Sequence, residues 1–566
     1  MVSGRRVRMR LRLPHGVVAA LLGVLYVVLL LRTTSDLGYA RDEGFYFQAA
    51  ETYGAWLDQL VHAPEQALTQ AATDRTFRIN SEHPSLMKLL FAASHEGLHK
   101  GLGLFAQEGT SFRFPGMVMG GLAVALTYLW GARVRGAAAG LFAAFALAMM
   151  PRFFYQAHLA CFDVPIVAVW SLVVFAYHGA LTRRGWLGPV LTGLAFGLAL
   201  DTKHNSWFLP FVLGAHALLL AARDLARDKR LGDAPKQALR SLLAMAALGP
   251  PLCVALWPWL WHDTLDRVRG YAAFHLGHEY YNMEFLGQNY WQPPMPRTYA
   301  WLMTAATVPT VTLVLFGVGL VVCARKRLRA FAQGAIGDVA ETHVLWVLAI
   351  GASYAAWLSP GTPIFGGTKH WMTAYPFLCL FAGEGFARLV VVVRRELRLL
   401  ARASRGRRAG LARKARGPIV EVTLAFAVLV APVVETARSH PWGLTSYTPL
   451  VGGASGAAAL GLNRSFWGYT TGAVVDYLNR EVPRGGRVYI HDTAGQAWDM
   501  LVRDGRVRRD ISIVSSASAA DFALYHHEQH MLGQEYQAWV AYGTVRPDHI
   551  AGLDGTPVIW VYRRVR

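Results

Sequence analysis

The chain has 566 residues, of which 54% are hydrophobic and 16% charged, and a formal charge of +20. This composition excludes an ordinary soluble enzyme. A bilayer-spanning helix needs about 20 mainly apolar residues, and blocks of that size recur between residues 14 and 434. The positive charge argues against a nucleic-acid partner, because much of it sits in short runs between those blocks (5–12, 223–230, 324–329 and 394–416), where basic loops orient helices.

Alternating the basic loops with the apolar blocks predicts spans at 14–34, 114–132, 136–151, 163–182, 186–201, 206–222, 241–260, 299–322, 342–358, 371–392 and 418–435. Two of them, 136–151 and 186–201, are short for full crossings, so about 11–13 helices are expected. The first block follows a basic start, as in a signal peptide. Its length and the spans beyond it make it a retained helix. With a cytoplasmic N-terminus the basic loops share one side, and everything after residue 437 lies outside. The expected division is a transmembrane domain, 1–437, with outer loops 34–113 and 262–297, and an extracytoplasmic domain, 438–566.

The first outer loop contains "FYFQAAETYGAWLDQL" and "HPSLMKLLFAASHEGLHKGL", whose helical spacing predicts helices in the interface plane. The second is aromatic, and Trp257, Trp259 and Trp261 before it read as an interfacial belt. From about residue 479, strand-like runs ("RVYIH", "ISIV", "DFALYHH", "TPVIWVYRR") alternate with helical ones, which predicts a small α/β domain. Cys161, Cys253, Cys323 and Cys379 lack CxxC spacing and read as small buried residues.

Polar residues that a bilayer disfavours gather at one predicted face. Asp42 and Glu43 follow the first helix, His83 and Lys88 share its outer loop, Asp163 starts a helix, and Lys203 and His204 occupy a turn. Any one of them alone is an interfacial charge reaching for water. Together they mark a site. A lysine on the outer side, between two apolar helices, runs against the positive-inside bias, and an anion such as a lipid-carrier phosphate would account for Lys203.

The motifs "RDEGFYFQAA", "EHPSLMKLL", "PRFFYQAHLACFDVP", "GLAFGLALDTKHNSWFLP", "FGGTKHWMTAYPFL" and "LNRSFWGYTTGAVVDYLNREVP", in this order, resemble the C-type glycosyltransferases. The similarity is to the branch of the protein O-mannosyltransferases and lipid A aminoarabinose transferases, and it reaches to about residue 485. Two positions depart from the family pattern: Ser85 stands where a second proline is usual, and His204 where glycine is common.

The resemblance implies a polyprenyl-phosphate sugar donor and a single displacement with inversion. A phosphate leaves without a proton, so one base and a cationic clamp suffice. It makes Asp42 the base and Glu43 its neighbour, gives Asp163 an acceptor-binding or orienting role, and gives Lys203 the carrier phosphate. Lys369 and Arg152 are further candidates for that phosphate, and His83, His204 and His370 for substrate. His526, His527 and His530, like His275 and His278, are spaced as zinc ligands can be but read as surface histidines. No ligand set for a divalent metal stands out, and a metal requirement is left open.

The expected setting is a bacterial-type inner membrane, with the site facing the periplasm or exterior and a protein, lipid or glycan as acceptor. A secondary transporter would instead place its charges near mid-membrane on broken helices. A non-catalytic scaffold would leave the acid pair and Lys203 without a reason. The odd number of spans predicts that the termini lie on opposite sides. Reporter fusions after Arg230, Arg408 and Arg566 should give cytoplasmic, cytoplasmic and external signals, and a cytoplasmic signal from the last would overturn the topology.

Overall fold

The structure, a computed structural model, describes residues 13–332, 338–403 and 418–565. The basic run 5–12 and the part of the 394–416 run beyond 403 lie outside the described residues. All eleven apolar blocks are helical, and the chain is a polytopic α-helical membrane protein. Among the described residues seven helices are long and apolar enough to cross a bilayer: His15–Asp36, Glu108–Arg135, Asp163–Leu181, His204–Asp228, Asp233–Leu256, Met372–Leu400 and Ile419–Ser439.

An eighth span would join Tyr299–Thr307 to Thr310–Ala330 across a bend of 117°. Pro309 at that bend has no N–H to continue a helix. Ala137–Ala148 and Leu187–Leu200 are the two short helices that the sequence anticipates. Asp338–Ala355 carries Glu341 and His343 near its start. Counted by length and composition among the described residues, seven or eight of the expected 11–13 spans qualify alone, the other apolar helices being shorter or more polar.

Glycines let some of these helices touch backbone to backbone, the usual device where lipid supplies no hydrophobic drive. A Cβ on Gly319 would lie 1.9 Å from the Phe381 carbonyl oxygen, and one on Gly385 2.1 Å from that of Leu315.

The first outer loop forms helices Arg41–His62 and Leu86–Ala93. Arg41–His62 buries Gly44, Phe47, Ala50 and Tyr53 and packs against Gly495–Arg503 of the tail. The approach is close, since a Cβ on Gly44 would stand 2.7 Å from the Ala497 amide nitrogen. The tryptophan run also serves the interior: Trp257 is 1% exposed, and the Arg267 guanidinium lies 3.9 Å from the centre of the Trp259 ring.

Two strands, β1 (Met283–Phe285) and β2 (Gln288–Tyr290), make a hairpin in the second outer loop. The tail is the expected α/β unit. Strands β3 (Arg487–Tyr489), β4 (Ser512–Val514), β5 (Phe522–His526), β6 (His549–Leu553) and β7 (Thr556–Arg563) form a sheet of order β4-β3-β5-β7-β6. The three strands β4, β3 and β5 run parallel, and β7 pairs antiparallel with β5 and β6. One apolar cluster unites Phe47 and Tyr53 of the first outer loop, Phe162 of the helix bundle, and Val488, Trp498 and Phe522 of the tail.

The joint between these parts is a buried ion pair. Arg113 donates from Nε and Nη2 to the two carboxylate oxygens of Glu43, each at 2.7 Å, and both residues are at most 2% exposed at their side chains. Further hydrogen bonds surround the pair. Arg113 donates to the carbonyls of Gly38 at 2.6 Å and Thr34 at 3.3 Å, and Glu43 accepts from the amides of Ala40 at 2.9 Å and Ala160 at 3.0 Å. Removing one partner strands a charge in low dielectric, so Arg113→Leu should destabilise the fold by about 3–5 kcal/mol. Thermal unfolding in detergent checks this, and an unchanged transition would show that the pair does not hold the joint.

Candidate active site

At the tail-bearing end of the bundle, a cavity of about 420 Å³ opens between the first outer loop, the second outer loop, the turns before two membrane helices, and the tail. Its wall gathers most of the residues anticipated from sequence: Asp42, His83, Asp163, Lys203, His204, Lys369 and His370. They come from distant parts of the chain.

The two acids share a local reason for their place. Asp42 lies in the first turn of Arg41–His62, and Asp163 opens Asp163–Leu181. A helix N-terminus presents unpaired N–H groups and a positive dipole end, which favour a carboxylate. Asp42 is the more accessible, its side chain 22% exposed against 4% for Asp163. The Nε of Arg41 stands 3.5 Å from Asp42, and the Lys369 ammonium 4.0 Å.

The two lysines are held differently. Lys203, on the turn after Leu187–Leu200, donates to Asp163 at 2.5 Å, so its charge is already balanced. Lys369 lies in the short turn Gly367–His370, with Nζ 3.9 Å from the centre of the Trp467 ring. The turn begins at Gly366, where φ is 64° and a Cβ would stand 2.4 Å from the Lys369 side chain, which is why glycine suits it. Burial pushes the Lys369 ammonium down from its ordinary range, and Asp42 and then Asp163 push it back up.

Histidines form the rest of the wall. Burial, and then the Lys88 charge, hold His83 well below the usual imidazole range, and burial and Lys369 do the same to His370. Both are therefore neutral near pH 7, with one donor and one acceptor nitrogen each. His83 Nδ1, His204 Nδ1 and His370 Nε2 are buried and have no hydrogen-bond partner within the protein. Hydroxyl groups of a bound ligand would suit them. Lys88 stands behind the wall: it donates to the carbonyls of Asn80 at 2.6 Å and His83 at 2.9 Å, fixing the loop that carries His83.

Two expected site residues are elsewhere. Glu43 belongs to the buried pair with Arg113 and points away from the cavity wall. Arg152 is 2% exposed and lies one layer back: its Nε donates to the Ser446 carbonyl at 3.3 Å, and its Nη1 would be 3.4 Å from a Cβ on Gly367.

The wall also includes residues that the sequence reading set aside. His275, His278 and His530 line it with Arg41 and Glu528 instead of standing on the surface, and His526 is buried, within hydrogen-bonding distance of Thr470 at 2.7 Å. His275 comes within 4.1 Å of His204, ring centre to ring centre, and burial pushes it down to about 4. Their signal was available in "FHLGHEYY" and "YHHEQH", where histidine is interleaved with aromatics. What was missing was any way to know that the two segments meet.

Among the described residues, Cys323, His343 and Glu384 alone stand close enough together to ligate one metal ion, and none lines the cavity. The charge of Glu384 is already met by Arg135 at 3.4 Å and Lys326 at 3.7 Å.

Residues 98–253 match the family model described as dolichyl-phosphate-mannose-protein mannosyltransferase. Among curated protein sequences, none matches the chain. Similar solved structures include ArnT from Cupriavidus metallidurans in the apo state, at 15% identity over 97% of this chain and 98% of that one, with a TM-score of 0.48. The same protein bound to undecaprenyl phosphate matches at 14% identity over 96% and 97%, with a TM-score of 0.47. The S. cerevisiae protein O-mannosyltransferase Pmt1-Pmt2 complex bound to the sugar donor matches at 17% identity over 45% and 34%, with a TM-score of 0.35. Over the segment that carries "PRFFYQAHLACFDVP" and "GLAFGLALDTKHNSW", the chain is thus matched to the dolichyl-phosphate-mannose-protein mannosyltransferase family, in agreement with the C-type glycosyltransferase resemblance of its motifs.

Proposed function

We propose that this protein is a membrane glycosyltransferase that moves a sugar from a polyprenyl-phosphate donor to a hydroxyl or phosphate acceptor, with inversion at the anomeric carbon. The observation that carries the reading is the meeting, in one cavity at a membrane-helix end, of an accessible carboxylate, two lysines and buried neutral histidines. The match to the dolichyl-phosphate-mannose-protein mannosyltransferase family over 98–253 supports the lipid-phosphate class. The proposed orientation places the cavity on the outer face of a bacterial-type inner membrane. It follows from basic loops on the opposite side, with 1–437 as the membrane domain and 438–566 as the outer domain.

Asp42 is the proposed base. It takes the acceptor's proton as the acceptor oxygen bonds to the anomeric carbon, and the bond to the carrier phosphate breaks with its electron pair staying on phosphate. Lys369 is the better-placed clamp for that phosphate, because Lys203 is already neutralised by Asp163. An ammonium that gains contact as phosphate charge develops stabilises the transition state more than the ground state. Lys203 then keeps Asp163 from repelling the phosphate, and the neutral histidines bind sugar or acceptor hydroxyls. Glu43 and Arg152 support the wall. This scheme uses protein groups alone, and whether a divalent metal joins them is tested by chelation.

Asp42→Asn keeps the shape but cannot take a proton, so single-turnover transfer should fall by about 10²–10⁴-fold with donor binding retained. NMR of the product should show the inverted anomer. Mass spectrometry of membrane glycolipids and glycoproteins with and without the gene identifies the acceptor, and no difference between the two would overturn the reading. Lys369→Ala should weaken binding of polyprenyl-phosphate in nanodiscs and slow transfer. Lys203→Ala should do so only while Asp163 keeps its charge, so Asp163→Asn should restore much of the lost binding. Equal losses with and without Asp163→Asn would make Lys203 a direct clamp.

A further inference from the structure

The tail brings two carboxyls beside the cavity that the proposed chemistry does not use, and Glu528 lines it. Asp492 follows β3, and Glu528 follows β5 in "YHHEQH". Arg41, the residue before the proposed base, donates from Nη1 to Asp492 Oδ1 at 2.6 Å while its Nε stands 3.5 Å from Asp42. One guanidinium is therefore divided between a carboxylate of the membrane part and one of the tail. The arrangement is held firmly. The Arg41 amide donates to the Trp467 carbonyl at 2.7 Å, and Asp492 sits at a φ of 54° against Gly468, where a Cβ would come within 2.0 Å of the Asp492 carbonyl oxygen.

Asp492 and Glu528 sense each other electrostatically, and both are at most 9% exposed. Two such carboxyls beside one guanidinium cannot both ionise cheaply, and one of them keeps a proton. Burial raises both; the neighbouring Asp492 raises Glu528 further, while Arg41 pulls Asp492 back down. Glu528 is thus the protonated member.

We propose that Asp492 is a positioning residue for the base: it draws the Arg41 guanidinium away from Asp42 and so leaves Asp42 free to take the acceptor's proton. This rests on the reading of Asp42 as the base. The charged and titratable groups facing Asp42 are Arg41, Lys369, Tyr46, Cys161 and Asp492. Those facing the tail pair are Arg41, Asp42, His530 and Tyr525, and Arg41 also senses Tyr281.

The signs follow. Asp492→Asn removes a negative charge near Asp42 and frees Arg41 to pair with it. Both effects favour the ionised Asp42, so its titration should move to lower pH, by about one unit for a neighbouring unit charge. Arg41→Gln removes the cation and should move it to higher pH. Glu528→Gln replaces a neutral carboxyl with a neutral amide and should leave it nearly unmoved.

The test uses the full chain in nanodiscs. Infrared difference titration follows the carboxyl signal that Asp42→Asn abolishes, and transfer against pH is recorded in parallel. Opposite shifts for Asp492→Asn and Arg41→Gln, seen both in the infrared midpoint and in the acidic limb of the rate profile, are the expected result. A general loosening of the tail would not give shifts of opposite sign. An unmoved Asp42 midpoint in Asp492→Asn overturns the proposal, and should that variant not fold, an unmoved midpoint in Arg41→Gln does so. Shifted midpoints in a chain that transfers no sugar would keep the coupling and sink the glycosyltransferase reading instead.

Discussion

The Glu43–Arg113 pair decides where everything else in the site can stand. Its two hydrogen bonds, with those to Thr34, Gly38, Ala40 and Ala160, tie together the end of the first membrane helix, the start of the outer-loop helix, the helix at 108–135, and the turn that leads to Asp163. In low dielectric such a pair is tolerated only when every lone pair and proton has a partner, and that demand makes the joint specific. Of two adjacent acids in a helical first turn, one must turn inward to meet Arg113. Successive helical positions diverge by about 100°, so the other, Asp42, is left facing the cavity. The double acid of "ARDEGF" is thus one anchor and one exposed carboxylate.

A second constraint is the charge balance of the cavity. Asp42 and Asp163 each gain from a helix N-terminus, and Asp163 gains further from Lys203. Lys369 has only a 4.0 Å approach to Asp42 and the face of Trp467, a weaker compensation than the 2.5 Å contact of Lys203. An anion entering here would meet Lys369 as its least neutralised cation. Neutral histidines around it add polarity without adding charge, which suits a ligand that is anionic at one end and rich in hydroxyls at the other.

Much of this was legible in the sequence, for a physical reason. Helices that must be apolar for about 20 residues announce themselves, and so do charges that interrupt them; Asp42, Asp163, Lys203 and Lys369 were visible on that ground. What the sequence hid was pairing over distance. Nothing in "RDEGF" says that Glu43 will meet an arginine seventy positions on, or that Lys203 will be spent on Asp163. The outer-loop helix hid its partner for a related cause: an apolar helical stripe records that a face is buried, not what buries it. Its partner here is the tail, and Gly44 and Ala497 were the small residues that permitted the contact. "YHHEQH" reads from sequence as surface histidines because no further ligand stands at metal-binding spacing, yet β5 delivers its end to the cavity.

The tail is therefore more than a covering. A shared apolar cluster fastens it to the first outer loop, and Asp492 and Glu528 reach the residue next to Asp42. A base must be free enough of cations to accept a proton, whereas a leaving phosphate needs cations close by. In the proposed chemistry both demands fall on one cavity of about 420 Å³, where Lys369 and Arg41 both approach Asp42. Holding Arg41 toward a tail carboxylate separates the two demands in space: the cation field stays in the cavity, but part of it is turned from the base. The tail already lies along the outer-loop helix, and its sheet brings two strand ends, after β3 and after β5, to the place where Arg41 emerges.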